Sequence, residues 1–212
     1  MAELPLTRIL APPEKQAAIR DAIRAVTVAP GGARVAMLED AQALTVLLSD
    51  PSVSAPIYTL PKPVSLETVT ELVARHLEER AEGRGLLLIN FDEAGAVAGY
   101  RDIQVWPEWA ACELGGAIRP DCQGAGAGGA GAAAAFGWLF EKIGVDLICE
   151  TAALDNERTA RLLERIGFSC KGEIESALPG GGTRPSRYWK MTRAEWAARR
   201  GRFTSVWPAA RE

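Results

Sequence analysis

The sequence offers little from which a metal centre or a disulfide framework could be built. Its 212 residues include one histidine, His76, and four scattered cysteines, Cys112, Cys122, Cys149 and Cys170. No two cysteines form a CxxC pair, and a single histidine gives zinc no second nitrogen ligand at a useful spacing. Cysteines without a disulfide framework are typical of a reducing compartment. We therefore expect no metal site, and we expect the protein in the cytoplasm.

Long apolar segments and an excess of positive charge are also missing. No apolar run approaches the roughly 20 residues that a membrane helix requires, and the N-terminal residues lack a basic segment followed by an apolar one. The net charge is -3, whereas a surface that binds nucleic-acid phosphates is basic. With 48% hydrophobic and 24% charged residues, the chain has the composition of a globular protein with a sizeable core. Neither a membrane nor a nucleic acid is an expected partner.

Apolar spacing and turn residues predict an α/β protein with a mixed sheet, in which hairpins come first and a strand–helix–strand–helix run follows. Strands are predicted at residues 34–38, 85–91, 96–106, 111–118, 144–150, 168–174 and 187–191. Helices are predicted at residues 14–24, 40–48, 66–80 and 156–166, and in the segment that ends at residue 142. We interpret residues 1–33 as an N-terminal extension, 34–196 as the domain and 197–212 as a C-terminal tail.

One segment between a predicted strand and a predicted helix is rich in glycine. It reads Asp121-Cys-Gln-Gly-Ala-Gly-Ala-Gly-Gly-Ala-Gly. Glycines at such a position let backbone N–H groups approach a phosphate closely, and the N-terminus of the following helix adds a favourable partial positive charge. The pattern indicates a phosphate-binding turn, with a flexible Gly/Ala linker as the alternative.

A dinucleotide-binding fold is one functional interpretation of this turn. Gly124, Gly126 and Gly129 satisfy the GxGxxG spacing, and Glu150 ends the next predicted strand, where a ribose-binding acid could lie. In that fold, however, the strand runs directly into the first glycine. Here residues 119–123 intervene, and they include a proline, which cannot continue a central strand. The motif also lies past the middle of the chain, which leaves too few residues for a six-stranded dinucleotide fold.

The second interpretation is a resemblance to a known family. Gln123, Gly126 and Gly128 match the (Gln/Arg)-x-x-Gly-x-(Gly/Ala) signature of the GNAT N-acetyltransferase superfamily. Further along, Asp155-Asn-Glu-Arg-Thr-Ala-Arg-Leu-Leu-Glu-Arg-Ile-Gly-Phe resembles the superfamily's Asn-x-x-(Ser/Ala)…Gly-Phe segment. The resemblance covers roughly residues 34–196. Its closing residues look like the branch that includes N-terminal acetyltransferases of ribosomal proteins.

The resemblance implies a mostly antiparallel central sheet with one splayed pair of parallel strands and flanking helices. It also implies direct attack of a primary amine on the thioester of acetyl-CoA, without a metal or a covalent intermediate on the protein. The acceptor amine is expected to belong to a small molecule or a protein N-terminus, and the protein to be a monomer or a homodimer. The residues that the resemblance assigns to acetyl-CoA are Ile118, Arg119, Gln123, Gly124, Ala125, Gly126, Ala127, Gly128, Asn156 and Thr159.

Three residues are candidates for catalysis. Glu113 aligns, within one residue of loop length, with a glutamate that is the base in histone-acetylating relatives; strand alternation places it on the face opposite Leu114. Alternatively, Glu113 is an exposed strand carboxylate or a salt-bridge partner. Thr159 stands where the ribosomal-protein branch often carries a serine near the CoA sulfur, with helix capping as the alternative. Tyr188 is either a further proton donor or a packing residue.

The superfamily's frequent general acid is absent from its usual place. Seven positions after the motif's asparagine the superfamily often carries a tyrosine, and here that position is Leu163. This departure leaves a non-catalytic acyl-CoA-binding or sensing module as the second functional interpretation. The resemblance also implies that a backbone N–H near residues 117–119 stabilises the oxyanion of the reaction.

The other reactive or aromatic residues support only weaker hypotheses. Cys122 and Cys149 could act as nucleophiles only beside a general base, and the sole histidine, His76, is predicted on an exposed helix. Trp106 and Trp109 are predicted to flank the acceptor cleft, where they would stack on a cation or pack at the rim.

Overall fold

The computed structural model describes residues 7–123, 127–178 and 181–206. Its strands are β1 (Val28–Ala29), β2 (Ala33–Val35), β3 (Gly85–Phe91), β4 (Val97–Trp106), β5 (Ala111–Ile118), β6 (Leu147–Ala153), β7 (Ser169–Ala177) and β8 (Thr183–Thr192). Its helices are α1 (Pro13–Ala25), α2 (Ala41–Leu48), α3 (Pro51–Ser54), α4 (Leu66–Glu82), α5 (Ala127–Trp138), α6 (Glu157–Ile166) and α7 (Arg193–Val206). A π-helical turn, Leu139–Ile143, directly continues α5.

The eight strands form one sheet in the order β1-β2-β3-β4-β5-β6-β8-β7. Neighbouring strands are antiparallel except for β5 and β6, which run parallel. In the described residues this parallel pair is joined at Ala111 with Leu147 and at Cys112 with Ile148, and the two strands then separate. The predicted fold class, a mostly antiparallel mixed sheet with one splayed parallel pair and flanking helices, is confirmed.

Helices cover both faces of the sheet, and each face has its own apolar core. On one face, which we call the α5 face, the helices α1, α5, α6 and α7 pack against strand residues such as Leu88, Ile103 and Ile148. On the other face, the α4 face, α2 and α4 pack against Leu87 and Ile89. Because side chains alternate along a strand, these two cores assign each strand position to one face.

The close approach of α1 and α4 depends on one glycine. The helix α4 begins at its N-cap Ser65, whose hydroxyl accepts a hydrogen bond from the Thr68 N–H, and it ends at Gly83, which has a left-handed φ of 72°. A Cβ atom on Gly83 would lie 2.6 Å from the backbone of Arg20 in α1. Glycine is therefore required both by the backbone angle and by the packing of the two helices.

The predicted elements are present, with different bounds at several ends. The first strand of the predicted domain is short, Ala33–Val35. The strand predicted from residue 144 begins at Leu147, because Gly144 has a φ of 91° and ends the preceding π turn. The two closing strands are longer than predicted and form a hairpin with nine and ten residues.

The termini of the described chain join the core. The first 33 residues contribute β1 to the sheet edge and α1 to the α5 face, where Ile19 and Ile23 are almost fully buried. At the other end, α7 continues past residue 196, and the Trp196 ring stacks on Phe140 with 5.8 Å between the ring centroids. Among the helices of the described ranges, none has both the length and the hydrophobicity to cross a membrane.

Candidate active site

The separation of β5 from β6 opens a gap in the sheet, and polar side chains cross it at two points. On the α4 face, the Thr151 hydroxyl donates a hydrogen bond to Glu113 Oε1 at 2.6 Å. Inside the gap, the Leu114 N–H donates to Glu150 Oε1 at 3.0 Å. These side-chain bonds replace the backbone bonds that a continued parallel ladder would make.

Glu113 lies half-buried among polar groups at the α4-face side of the gap. Burial raises the pKa of its carboxyl to about 7, because desolvation disfavours the charged form, and the Asp102 carboxylate adds to this rise. The hydrogen bond from Thr151 and the charge of Arg184 act in the opposite direction. Among the described residues no cation lies within ion-pair distance of Glu113, so the geometry does not favour the salt-bridge alternative. A carboxyl that titrates near neutrality is well suited to accept a proton.

Glu150 lies inside the gap itself. Its side chain is 5% exposed, and burial together with the charge of Glu113 raises the pKa of Glu150 well above its usual range. The surroundings therefore favour the neutral form of the carboxyl, and its Oε1 accepts the hydrogen bond from the Leu114 N–H. A dinucleotide fold would place Glu150 at the end of its strand, in contact with a ribose. That interpretation is wrong, because the Glu150 side chain turns into the sheet.

The strand register selects which backbone N–H groups face the gap. The Arg119 N–H donates to the Ala98 carbonyl at 2.8 Å, and Tyr100 lies opposite Ala117. Since hydrogen-bonded pairs alternate along an antiparallel ladder, the N–H groups of residues 117 and 119 point to β4. Those of Gly116 and Ile118 point to the side where β6 has diverged. Within the window expected for oxyanion stabilisation, Ile118 is therefore the residue with a suitable N–H.

Gly116 helps to shape this edge of β5. Its φ is 140°, and a Cβ atom there would collide with the carbonyl oxygen of Tyr100. A residue with a side chain would push β5 away from β4 at the position where the oxyanion donors are expected.

The glycine-rich turn is described in part. Gly124, Ala125 and Gly126 lie outside the described residues, and of Ala127 the structure describes the backbone as the first residue of α5. Gln123 Nε2 donates to the Ile118 carbonyl oxygen, which ties the start of the turn to the end of β5.

The first turn of α5 has room for a phosphate group. A Cβ atom on Gly128 would meet no other described atom within 4 Å, so the backbone of this turn is open to a ligand. Helix N-termini bind phosphates through their N–H groups and partial positive charge, and the residues present therefore fit the pyrophosphate of acetyl-CoA.

Arg119 makes contacts that the sequence did not reveal. Its guanidinium donates to Asp121 Oδ1 at 2.6 Å and to Asp92 Oδ2 at 2.7 Å, and these two carboxylates raise the pKa of Arg119. The side chain thus fastens the β3–β4 turn to the segment before the glycine-rich turn. Its predicted contact with acetyl-CoA stays a prediction.

The N-terminus of α6 lies on the α5 face, as α5 does. Asn156 Oδ1 accepts a hydrogen bond from the Thr159 N–H at 3.1 Å, so Asn156 is the N-cap of α6. This bond uses the Thr159 backbone and the Asn156 side chain, and within the part of the chain that the structure describes the Thr159 hydroxyl makes no hydrogen bond.

Tyr188 is placed by packing. It is 1% exposed on the α4 face beside Ala111 and Leu147, and its hydroxyl lies 3.4 Å from Cys149 Sγ. Burial raises the pKa of the Cys149 thiol to about 12, which disfavours the thiolate that a nucleophile requires.

His76 is not exposed as predicted. Its side chain is 2% exposed, because the α4 helix turns it onto the sheet. There Nδ1 lies 2.8 Å from Glu79 Oε2, and Nε2 lies 3.6 Å from Asp102 Oδ1. Neither contact has the geometry of a good hydrogen bond, but the two carboxylates raise the pKa of His76 to about 9 against the effect of burial. Within the described ranges, no group of side chains is suited to hold a metal ion.

The two tryptophans expected beside the acceptor cleft pack near Tyr188. Trp106 and Trp109 are half-buried against the cluster that contains Ala111 and Leu147. The Arg8 guanidinium lies 5.4 Å from the centroid of the Trp109 ring. This cluster lies next to the gap on the α4 face, and its tryptophans act as packing residues in this structure.

Several polar residues around Glu113 could not be found from the sequence. Thr151 comes from the next strand, Asp102 and Arg184 from strands on either side, and Tyr58 from the loop after α3, where Tyr58 Oη lies 3.4 Å from Thr151 Oγ1. These residues share no sequence spacing with Glu113. The alternation of the predicted strands was the only signal available, since it places Asp102 and Glu113 on the same face once β4 and β5 are paired.

A mixed sheet opened between two parallel strands, with two helix N-termini on one side of the gap and a carboxyl on the other, is the arrangement of an acyl-CoA-dependent N-acyltransferase. The chain belongs to the acetyltransferase (GNAT) domain family, whose model matches residues 34–169. Acetyl-CoA is accordingly its acetyl donor.

Solved structures that share this fold come from several acetyltransferases. The ribosomal-protein-S5-alanine acetyltransferase of Vibrio fischeri has a TM-score of 0.65 at 15% identity and covers 77% of this chain and 93% of its own. For RimJ of Mycobacterium smegmatis, solved with CoA-disulfide, the TM-score is 0.68 at 16% identity, with 82% and 88% covered. For a mutant form of the Vibrio cholerae spermidine N-acetyltransferase SpeG, the TM-score is 0.63 at 18% identity, with 79% and 98% covered. The comparison with curated proteins returned no match.

Proposed function

We propose that the protein transfers the acetyl group of acetyl-CoA to a primary amine by direct attack, with Glu113 as the general base. The observation that carries this proposal is the position of Glu113 relative to the gap. The helices α5 and α6 lie on one face of the sheet, and Glu113 lies on the other with a pKa near 7. An acetyl group that entered from the α5 face would reach an amine on the α4 face through the gap.

The proposed reaction has one bond-forming and one bond-breaking event. Glu113 takes a proton from the acceptor ammonium, and the amine nitrogen then attacks the thioester carbon. The oxyanion that forms is held by the Ile118 N–H. When the carbonyl is restored, the carbon–sulfur bond breaks and CoA leaves as a thiolate, which takes the second proton that the nitrogen loses. We assign Thr159 as the hydrogen-bond donor to the thiolate. Tyr188 packs beside the cleft, and we assign it as a second possible proton donor.

The acceptor is proposed to be the amine of a small molecule or of a protein N-terminus. Both kinds occur among the structural neighbours, which include RimL, a ribosomal L7/L12 alpha-N-protein acetyltransferase, and the spermidine N-acetyltransferase SpeG. The four free cysteines support the expectation of a reducing, cytoplasmic location.

The test is release of free CoA thiol from acetyl-CoA in the presence of a panel of primary amines. Glu113→Gln keeps the size of the side chain but cannot take a proton, and we expect it to lower kcat/KM by about 10²–10⁴ with little change in acetyl-CoA affinity. The loss should shrink as pH rises, because more of the amine is then already deprotonated. Tight acetyl-CoA binding without thiol release for any amine would instead support the non-catalytic module.

A further inference from the structure

Arg184 has an unusual position beside the candidate active site. It lies on β8, two residues from Ser186 and four from Tyr188 on the same face, and its guanidinium carbon lies 3.6 Å from the centroid of the Tyr58 ring. Tyr58 comes from the loop between α3 and α4, so the stack joins this loop to strand β8, next to the sheet edge formed by β7.

The guanidinium of Arg184 lacks the partner that such a group normally has. Among residues 7–123, 127–178 and 181–206, no carboxylate pairs with it and no acceptor binds its N–H groups. Its Nε is buried without a hydrogen bond, while the side chain as a whole is half-buried. Buried polar groups are satisfied in the great majority of cases, and arginine most often meets a carboxylate or a phosphate through its planar fork.

Two serines next to Arg184 have the same deficit. Ser176 lies directly opposite Arg184 on β7, and Ser186 follows on the same face of β8. Both side chains are 0% exposed, and neither hydroxyl has a partner in the described structure. Three unsatisfied polar atoms on one patch of the β7–β8 hairpin indicate a site that lacks a polar ligand.

This patch is connected to Glu113 by direct contacts. The Tyr58 ring stacks on Arg184, Tyr58 Oη lies 3.4 Å from Thr151 Oγ1, and Thr151 donates to Glu113. A small molecule with its amine at Glu113 would therefore have its other end within reach of Arg184.

We propose that Arg184 binds a carboxylate carried by the acceptor, so that the substrates of this enzyme are amines with a carboxylate in the same small molecule. This inference rests on the proposed function. A carboxylate matches the guanidinium fork and can accept hydrogen bonds from serine hydroxyls. A polyamine, in contrast, would place a second positive charge beside Arg184. A phosphate dianion would bring two negative charges close to Glu113 and Asp102.

The experiment uses matched pairs of acceptors, namely ω-amino acids with two to five methylene groups and their primary carboxamides. Thiol release gives kcat/KM for each member of a pair, and the acid/amide ratio is the quantity compared. We expect the best acid to exceed its amide by about ten- to a hundred-fold, the range for hydrogen bonds to a charged group. Arg184→Met keeps an apolar side chain against Tyr58 and should bring the ratio to near one by slowing the acid alone. Arg184→Lys should give an intermediate ratio.

Arg187→Met is the matched control. It removes an arginine from the same strand but from the α5 face, where Arg187 pairs with Glu157 at 2.9 Å, and it should leave the ratio unchanged. If the wild type shows no preference for acids, or if Arg184→Met slows acids and amides by the same factor, the inference is overturned while thiol release still supports the proposed function. Failure of every amine to release thiol would overturn both.

Discussion

Thr151 on β6 donates a hydrogen bond to Glu113 on β5 across the gap where the two strands have separated, with 2.6 Å between the oxygens. The bond connects the strands where their backbones no longer can, and it favours the ionised carboxylate that a base requires. Burial acts against it and raises the pKa of Glu113 to about 7. Under the proposed function, the balance of these two effects sets the pH at which Glu113 can accept a proton from the acceptor.

Thr151→Val tests this balance. The substitution keeps the shape of the side chain and removes the donor, so the pKa of Glu113 should rise further. We expect the lower limb of the kcat/KM profile, with an inflection near pH 7 in the wild type, to move up by about one to two pH units, since a hydrogen bond to a charged group contributes about 1.5–3 kcal/mol. Thr151→Ser should keep the wild-type profile. An unmoved limb in Thr151→Val would mean that another group is titrating.

The phosphate-binding role of the α5 N-terminus is tested by two valine substitutions. A Cβ atom meets nothing within 4 Å at Gly128 or at Gly131, one turn later, so both variants should fold with a melting temperature near that of the wild type. Only Gly128→Val places a branched side chain where the pyrophosphate approaches the first turn. We expect it to weaken acetyl-CoA binding at least ten-fold in calorimetry, with Gly131→Val close to wild type. Equal affinities of the two variants would argue against this placement.

Thr159 is tested through the leaving group. Thr159→Ala should lower kcat while acetyl-CoA affinity stays nearly constant, because a donor to the thiolate acts mainly in the transition state. The capping bond to Asn156 uses the backbone of Thr159, so the variant should keep α6 intact. Thr159→Ser should retain most of the activity. If Thr159→Ala is fully active, the leaving thiolate must be stabilised by Tyr188 or by solvent instead.

The raised pKa of His76 predicts that the free energy of unfolding falls at alkaline pH. Its pKa is raised from 6.5 to about 9 by Glu79 and Asp102, so its contribution is fully present below pH 6.5 and is lost as pH rises through 9. Linkage converts this shift into at most about 3 kcal/mol. Denaturant unfolding at pH 7 and pH 9.5 should show this decrease in the wild type and a smaller one in His76→Gln. The same pH dependence in both proteins would show that His76 is neutral in the folded state.

Glu150 is tested by an amide. Because burial favours the neutral form of its carboxyl, Glu150→Gln should retain the wild-type free energy of unfolding within about 1 kcal/mol, with its amide oxygen accepting from the Leu114 N–H. Glu150→Leu leaves that buried N–H unsatisfied and should lower the free energy of unfolding by about 1–3 kcal/mol. If Glu150→Gln is as unstable as Glu150→Leu, the carboxyl must be ionised in the folded protein.

The sequence by itself determined the class of protein. Helical and strand periodicity located the main elements, and the segment from Gln123 to Gly128 together with Asn156 carried the resemblance to the GNAT superfamily that the family match confirms. Such signals are local: a glycine-rich turn before a helix and a capping asparagine work through neighbours within a few residues, so they can be read along the chain. For the same reason Glu113 could be placed on one face of its strand.

Only the tertiary structure decided what surrounds Glu113 and His76. Thr151, Tyr58 and Arg184 reach the site from separate parts of the chain, and their contacts depend on which strands are neighbours and where β5 leaves β6. His76 was predicted to be exposed because it follows Arg75 on a helix that looked like a surface helix, whereas the structure packs it against the sheet beside Asp102. A pKa depends on desolvation and on charges that are distant in sequence. The pKa of Glu113 near 7 could therefore be known only once the strands were paired.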